Sequence, residues 1–253
     1  NSSGEYTESS TISISVFPGK RGDANATIDF NSTDNSESNS SGSAKILAAS
    51  GEVDYMYADQ STAVKASYKK DDTNKTGKVT LAMKHALAMV SFRVYADHTY
   101  KNTGAFTKLV LANKSGGTTI LNNGASPTMK IKDGTITVGS SPTAVTYTRD
   151  IANYMLSKAT ADTDQARATA KNNARKASIL VLPENTADKS TVEATLTIDN
   201  QDYKVALPSS SSAWEAGKNY LYTVKLSGSE LVISSVTVTQ WTTVASSTDL
   251  NIK

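Results

Sequence analysis

The stretch HALAMVSFRVY, residues 85–95, decides the fold class. Every second residue from Val90 to Val94 is large and apolar, and this period of two is typical of a β-strand. Leu87 and Met89 fall in the opposite phase, so both sides of the strand carry apolar side chains. We therefore expect a strand that either contains a bulge or is buried on both faces.

The same period of two recurs through most of the chain. Near the start, TISISVF (residues 11–17) places Ile12, Ile14 and Val16 on one face of a predicted strand and hydroxyl side chains on the other. Turn-forming residues separate later strands, and the sequences KDG at 132–134 and DN at 199–200 each predict a hairpin. Further strands are predicted at residues 53–57, 63–68, 78–84, 106–112, 118–121, 128–131, 135–138, 144–147, 179–182, 191–198, 203–207, 219–226 and 231–241.

These many short strands predict an all-β protein of the β-sandwich class. Roughly fifteen strands exceed the number in one sandwich, so we expect two sandwiches in tandem. A polar segment follows the strand at 85–95 and predicts a boundary between an N-terminal domain, residues 1–97, and a C-terminal domain, residues 98–253. Residues 149–177 break the pattern: Ile151, Tyr154 and Met155 have helical spacing, which predicts a short helix, and a mobile connection is expected after it.

Composition argues against several functional classes. The 253 residues include no Cys and two His, which excludes disulfides and a thiol nucleophile and leaves too few ligands for a zinc site. A net charge of +2 gives no electrostatic reason to bind nucleic acid, and no apolar run reaches the roughly 18–20 residues of a membrane helix. No nucleophile motif is present, and acids such as Glu52, Asp54, Glu184 and Glu193 form no specific pattern. We therefore expect no catalytic residues, no cofactor and no metal site.

A basic pair follows the first predicted strand. Lys20-Arg21 comes after Pro18-Gly19, which ends the strand, and a trypsin-like protease could cut there and release residues 1–21. A sheet that loses a strand is left with an unpaired edge and an apolar groove, which another strand can fill. An ordinary basic loop is the alternative interpretation.

Aromatic side chains offer a second functional hypothesis. Five of them could stack on sugars if they shared one exposed face: Tyr55, Tyr57, Tyr220, Tyr222 and Trp241. Their alternation with apolar neighbours favours packing in the core or between strands instead. A surface glycan-binding β-sandwich lipoprotein is therefore the alternative function. His85 begins an apolar strand and is expected to be buried or at an edge, bonded to a backbone group.

The end of the chain carries a family resemblance. WEAGKNYLYTVKL at residues 214–226 is followed by LVISSVTVTQW at 231–241. This ending resembles that of the fimbrillin-like proteins, the type V pilus subunits of anaerobic Gram-negative bacteria. In that family a Trp precedes a Gly-Lys-x-Tyr turn and strand, and a second Trp closes the last strand. Residues 84–94 resemble the family's central His-Ala strand, and residues 53–58 resemble the segment before it.

The resemblance implies two tandem transthyretin-like β-sandwich domains, export to the outer membrane as a lipoprotein with a lipid anchor, and polymerisation with other fimbrial subunits at the cell surface. It implies cleavage after Arg21 and loss of the strand that carries Ile12, Ile14 and Val16. It also implies that residues 242–253, with part of the preceding strand, are the donor strand for the next subunit. The side chains expected near that junction are Val236, Val238, Trp241 and Val244. Such a fimbrium would support adhesion to a ligand on host or bacterial surfaces.

Overall fold

The computed structural model describes residues 10–14, 26–29, 46–48, 53–58, 83–122, 127–138, 143–209, 213–228 and 230–241. The elements in these ranges are β1 (Thr11–Ser13), β2 (Ala26–Asp29), β3 (Ile46–Ala48), β4 (Met56–Ala58), β5 (Met83–His85), β6 (Ala88–Ala96), β7 (Phe106–Asn113), β8 (Thr128–Lys130), β9 (Ile136–Thr137), β10 (Tyr147–Ala152), β11 (Ser157–Lys158), α1 (Asp164–Asn173), β12 (Lys176–Val181), β13 (Val192–Ile198), β14 (Gln201–Ala206), β15 (Lys218–Ser227) and β16 (Glu230–Gln240).

Most strands belong to two sheets that face each other. The five-stranded sheet has the order β14-β13-β7-β10-β2. The six-stranded sheet has the order β16-β15-β6-β12-β3, and its sixth strand, β11, pairs with the end of β6 outside this order. A single hydrophobic cluster contains side chains of both, including Leu109 and Leu196 from the first sheet and Phe92 and Tyr222 from the second. The molecule is therefore a β-sandwich, which confirms the all-β prediction. Two small sheets, β1-β8-β9 and β4-β5, adjoin it.

Strand β6, taken from the stretch that decided the fold class, lies at the centre of the six-stranded sheet. It pairs antiparallel with β12 and parallel with β15, and eight of its nine residues are buried. On one face, the ring of Phe92 lies 5.5 Å from that of Tyr222. On the other face, the Ser91 hydroxyl donates to Asn219 Oδ1 at 2.8 Å, and Tyr95 packs against α1. Burial on both faces explains why this strand carries apolar residues in both phases.

The helix lies later in the chain than predicted. The residues expected to form a short helix instead continue β10 to Ala152, and Asn153 then takes a left-handed φ of 60°. Helix α1 occupies part of the segment expected to be a mobile connection. Thr163 caps it by accepting a hydrogen bond from the Ala166 N–H at 3.2 Å. The prediction was wrong because β10 gains partners on both sides, β7 and β2, which outweigh a local helical spacing.

Both predicted hairpins are confirmed. Between β13 and β14, Asp199 and Asn200 have φ angles of 49° and 63°, the left-handed pair that a type I′ turn requires. Between β8 and β9, Gly134 has a φ of 71°. Asn, Asp and Gly tolerate this region, so these turns were readable from sequence.

Strand pairing does not confirm two tandem sandwiches. β6 precedes the expected boundary at residue 97, yet both of its ladder partners in the centre of the sheet follow that boundary. The polar segment after β6 is also tied to β15, because Asp97 N–H donates to the Leu226 carbonyl at 2.9 Å and the Ser227 hydroxyl donates to the Asp97 carboxylate at 2.6 Å. The polar segment is therefore a turn that is hydrogen-bonded to β15. The division into residues 1–97 and 98–253 stays a prediction.

A second carboxylate fixes the next part of this turn. Asp199, in the β13–β14 hairpin, accepts hydrogen bonds from the Tyr100 hydroxyl at 2.7 Å, the Gly104 N–H at 2.7 Å and the Ala105 N–H at 2.9 Å. Burial raises the pKa of Asp199, but the hydrogen bonds from Gly104, Tyr100 and Ala105 outweigh it and hold the pKa of this carboxyl below its ordinary value.

Asp199→Asn should lower the free energy of unfolding at pH 7 by about 1–2 kcal/mol, because a neutral amide is a weaker acceptor than a carboxylate. Folding lowers the pKa, so the stabilisation is present above the unfolded value of about 3.9 and is lost as pH falls through the folded pKa. Urea unfolding should therefore show the two proteins converging as pH falls through the folded-state pKa of Asp199. Asp162→Asn, at an exposed carboxylate, is the control and should change little. A difference that stays constant down to acid pH would contradict this role.

Candidate functional site

The first candidate feature is β1, the strand expected to be removable. Among the described strands it pairs only with β8, in antiparallel register. Two further backbone hydrogen bonds extend the ladder, from the Ile14 N–H to the Pro127 carbonyl and from the Ile131 N–H to the Ser10 carbonyl, each 3.0 Å long. β1 is therefore a short edge strand held by few bonds.

The side chains of β1 are buried to different degrees. Ile14 is 3% exposed and joins the main hydrophobic cluster, whereas Ile12 is 37% exposed. The sequence predicted one shared apolar face for Ile12, Ile14 and Val16, and of the two described isoleucines only Ile14 is buried. Val16 and the expected cleavage position Arg21 lie outside the described residues. Release of this strand stays a prediction.

β8, the partner of β1, has further contacts that do not involve β1. β8 also pairs with β9, and Met129 on β8 is 2% exposed. Hydrogen bonds from the Thr135 hydroxyl and N–H to Asp133 fix the connecting turn and lower the pKa of the Asp133 carboxyl. Tyr57 covers the turn so closely that a Cβ on Gly134 would lie 2.2 Å from its ring. We expect β8 to keep its place if β1 leaves, and to present an unpaired edge.

The strand after the expected cleavage position lies in another sheet. β2 pairs in parallel with β10 at the edge of the five-stranded sheet, and Ile28 on β2 is fully buried. Arg21 falls between β1 and β2 in the chain. A cut there would separate β1 from β2 and leave the ladder of β2 intact.

The second candidate feature is β16, which carries most of the expected donor-strand residues. It forms one edge of the six-stranded sheet and pairs with β15 along its length, with a bulge opposite Thr223 and Val224. Val236 is partly buried against the core, and Val238 is 40% exposed. Val244 lies outside the described residues. β16 is therefore an ordered edge strand of its own subunit, and its use as a donor stays a prediction.

Trp241, just after β16, contacts residues far away in the chain. Its indole stacks on the imidazole of His85, with the ring centroids 3.6 Å apart and the planes 6° from parallel. His85 is 6% exposed, and its Nδ1 lies 2.8 Å from Asp54 Oδ2. The Trp241 N–H donates to the Gly217 carbonyl at 2.8 Å. The expected partner of His85 was a backbone group, and this was wrong because the β4–β5 pairing brings Asp54 to the ring.

Sequence reasoning placed His85 and Trp241 in separate arguments and did not bring them together. The signal that could have joined them is the family pattern itself, which names both a His-Ala strand and a closing Trp. Asp54 had been considered only as one acid among many. Its position two residues before β4 is what directs it towards His85.

The aromatic residues considered for sugar stacking do not form an exposed platform. Tyr220 and Tyr222 are fully buried, and the Tyr220 hydroxyl accepts a hydrogen bond from the Glu215 N–H at 2.7 Å. Burial raises the pKa of the Tyr220 phenol. Tyr55 and Tyr57 are partly buried against the core, as is Trp241. Packing between strands, the favoured interpretation, accounts for all five.

A cleft of about 250 Å³ opens near one end of the sandwich. Its polar lining comes from Asn122, Glu184 and Asn185, and its aromatic lining from Tyr147 and Trp214. Both rings are only 1% exposed, so neither presents a face on which a sugar could stack. No observation at this cleft favours the glycan-binding alternative.

The acids considered as catalytic pairs have structural partners where they are described. Asp54 bonds His85, Glu184 lies 3.1 Å from Lys189 Nζ, and Glu193 lies 3.5 Å from Lys204 Nζ. Across the described ranges, no group of three or more His, Cys, Asp or Glu side chains is placed to hold a metal ion. In the same part of the chain, no helix is both long enough and apolar enough to span a membrane.

Comparison with known proteins gives one family. Residues 9–241 match the model of the fimbrillin-like family. Solved structures with a similar fold include a candidate cell adhesion protein from Bacteroides uniformis (22% identity, TM-score 0.42, 65% of this chain and 54% of that one). Another is a candidate cell adhesion protein from Bacteroides ovatus (17% identity, TM-score 0.44, 65% of this chain and 49% of that one). A third is a fimbrial protein from Bacteroides vulgatus (15% identity, TM-score 0.41, 69% of this chain and 60% of that one). The matched region thus spans between 49% and 60% of the length of these chains. None of the curated proteins searched matches this chain.

Proposed function

This chain belongs to the fimbrillin-like family, and from that premise we propose that it is a structural subunit of a surface fimbrium and joins its neighbours by β-strand addition. The observation that carries the subunit role is the family match, which includes β1 at one end and β16 with Trp241 at the other. Membership of this family points to a structural protein without enzymatic activity.

The geometry of β1 supports the strand-addition step. β1 is a three-residue edge strand, and among the described residues of this segment Ile14, just after β1, is the apolar side chain that enters the core. Removing it would leave the edge of β8 without a partner and a cavity where Ile14 had been. An incoming strand would restore the backbone ladder at about 0.5–1.5 kcal/mol per hydrogen bond and would bury apolar side chains in addition. Strand addition to an exposed edge is an established mode of association.

The donor in this proposal is the C-terminal region, residues 242–253 with the adjoining end of β16. Val244 is the next large apolar residue along the chain after Val236, Val238 and Trp241. The partners are other fimbrial subunits, of the same or another kind, and the location is the cell surface. Export as an outer-membrane lipoprotein and binding of a host or bacterial surface ligand are further parts of the proposal, carried by the family alone.

Controlled cleavage tests the proposal. Limited trypsin treatment that cuts after Arg21, verified by mass spectrometry, should convert the monomer into multimers on size-exclusion chromatography with light scattering. The matched control is the Lys20→Gln/Arg21→Gln double variant, which keeps the strand and should stay monomeric under the same treatment. Wild-type protein that is cut after Arg21, loses β1 and nonetheless stays monomeric would overturn strand addition.

A further inference from the structure

The end of β16 is held by two side chains from much earlier in the chain, Asp54 and His85. Trp241 stacks on His85 at 3.6 Å with nearly parallel rings, and His85 Nδ1 lies 2.8 Å from Asp54 Oδ2. Because a carboxylate only accepts, Nδ1 carries the proton and Asp54 fixes the plane of the imidazole. His85 Nε2 is buried and has no hydrogen-bond partner among the described residues, so the second ring nitrogen adds no competing restraint. The imidazole is therefore a fixed flat surface for the indole.

Backbone hydrogen bonds join the same segments of the chain. The Trp241 N–H donates to Gly217, and Gly217 in turn donates its own N–H to the Leu87 carbonyl, each at 2.8 Å. The Ala86 N–H donates to the Tyr55 carbonyl at 2.8 Å, which joins the segment of Asp54 to that of His85. Four segments of the chain thus meet at Trp241.

Detaching β16 would break more than this contact. β16 is paired with β15 at ten positions, from Lys218 opposite Gln240 to Ser227 opposite Glu230. Leu231 at its start is 8% exposed and belongs to the core, as do the partly buried Ile233 and Val236. β1, by contrast, is paired at three positions and buries Ile14 alone among its described apolar side chains. Strand exchange that removed β16 from its own sheet would cost far more than exchange of β1.

We propose that Asp54 and His85 form a clasp on Trp241 that keeps β16 in its own sheet, so that the segment donated to a neighbouring subunit begins after Trp241 and the end of β16 is no part of the donor. The inference rests on the proposed function for its second half, because a donated segment exists only if subunits join by strand addition. Its first half, the clasp, is a property of the monomer. Asp54 and His85 are positioning residues: they hold the indole and thereby fix where the chain leaves the sheet.

Hydrogen exchange on the uncut monomer tests the clasp. Alternation along the ladder from the Trp241–Gly217 bond places the N–H groups of Thr239 and Thr237 towards β15. His85→Ala and Trp241→Ala should each raise exchange at these amides by about tenfold or more, because both remove the stacked pair. Trp241→Phe, which keeps a ring, should raise it less, and Thr239→Ser is the matched control on the same strand. Unchanged exchange in both alanine variants would overturn the clasp.

An engineered disulfide tests where the donated segment begins. Lys218 and Gln240 face each other at a non-hydrogen-bonded position of the ladder, where Cα atoms lie about 4.5 Å apart, within disulfide range. The chain has no Cys, so Lys218→Cys/Gln240→Cys forms a single defined bond that locks β16 to β15. After cleavage at Arg21, the oxidised and reduced forms should assemble to the same extent.

Assembly that is lost on oxidation and returns on reduction would show that β16 must leave, and would overturn the inference while supporting strand addition. If neither form assembles although unmodified cut protein does, the donor must include the substituted positions, and the inference again fails. If no cut protein assembles, the proposed function fails, and the exchange measurement decides whether the clasp exists.

Discussion

A subunit that lacks residues 242–253 should stay monomeric even after cleavage at Arg21. The deletion leaves β16 and the Trp241 contacts in place, so the protein should still fold, but it removes the strand that a neighbour would receive. Multimer formation should fall from the dominant species to none detectable by size-exclusion chromatography with light scattering. This is the largest functional effect that the account predicts, because in the proposal the tail is the donor of every subunit.

Two single substitutions distinguish donation of a specific strand from non-specific association of the tail. Val244→Asp places a charge on a side chain expected to enter the neighbouring groove and should weaken assembly strongly, since an unpaired buried charge is costly. Ser247→Asp adds the same charge three residues later, on the opposite face of an extended strand, and is the matched control. Equal effects of the two would contradict burial of Val244, and undiminished assembly of the truncated subunit would contradict the tail as donor.

Trp214→Ala should lower the free energy of unfolding by about 3–5 kcal/mol, which is the expected loss for a large aromatic side chain in a packed core. Trp214 is 1% exposed, its Nε1 donates to the Tyr222 hydroxyl at 3.1 Å, and Lys189 Nζ lies 5.0 Å from its ring centroid. Its backbone exchanges two hydrogen bonds with Glu184, at 2.8 and 2.9 Å. The substitution removes the ring that covers a fully buried ammonium as well as a large apolar volume.

Urea unfolding measures this effect. Met155→Ala is the control, because that side chain is 55% exposed and its loss should change stability by less than about 0.5 kcal/mol. Trp214→Phe should fall between the two, since it keeps a ring but loses the indole N–H. If Trp214→Ala lowered the free energy of unfolding by less than about 1 kcal/mol, this would contradict the packing of Trp214 in the core.

Most strand positions and both turns were the part of the fold that sequence could predict, although residues 118–121, predicted as a strand, form none. The apolar residues of β6 in both phases indicated a strand that contains a bulge or is buried on both faces, and the structure shows the second, with β6 between β12 and β15. The hairpin at Asp199-Asn200 followed from the few residues that tolerate left-handed φ. These signals are local, because each depends on neighbouring positions in the chain.

Sheet membership could not be predicted in the same way. The polar segment after β6 suggested a linker, but Asp97 bonds to Leu226 and Ser227 of β15, and Asp199 accepts hydrogen bonds from the Gly104 and Ala105 N–H groups. The helical spacing near Ile151 was overridden by two ladder partners. The contact of Asp54, His85 and Trp241 depends on three separate pairings. Each of these outcomes is set by long-range partners, which a local pattern does not identify.

The family resemblance predicted the all-β fold and the structural role, and the fimbrillin-like match over residues 9–241 supports both. It indicated no clasp, because a family pattern names residues without saying which of them touch. The structure adds a difference between the two edge strands: β1 is paired with β8 at three positions, and β16 is paired with β15 at ten.

Mixing two one-sided subunits tests the central claim most directly. The acceptor is cut after Arg21 and lacks residues 242–253, and the donor is the uncut Lys20→Gln/Arg21→Gln variant with its tail intact. Each alone should be monomeric, and their mixture should give a complex of one acceptor and one donor that grows no further, as measured by light scattering. Two species that remain monomers when mixed, or an acceptor that associates with itself, would contradict assembly by donation of a C-terminal strand into the place of β1.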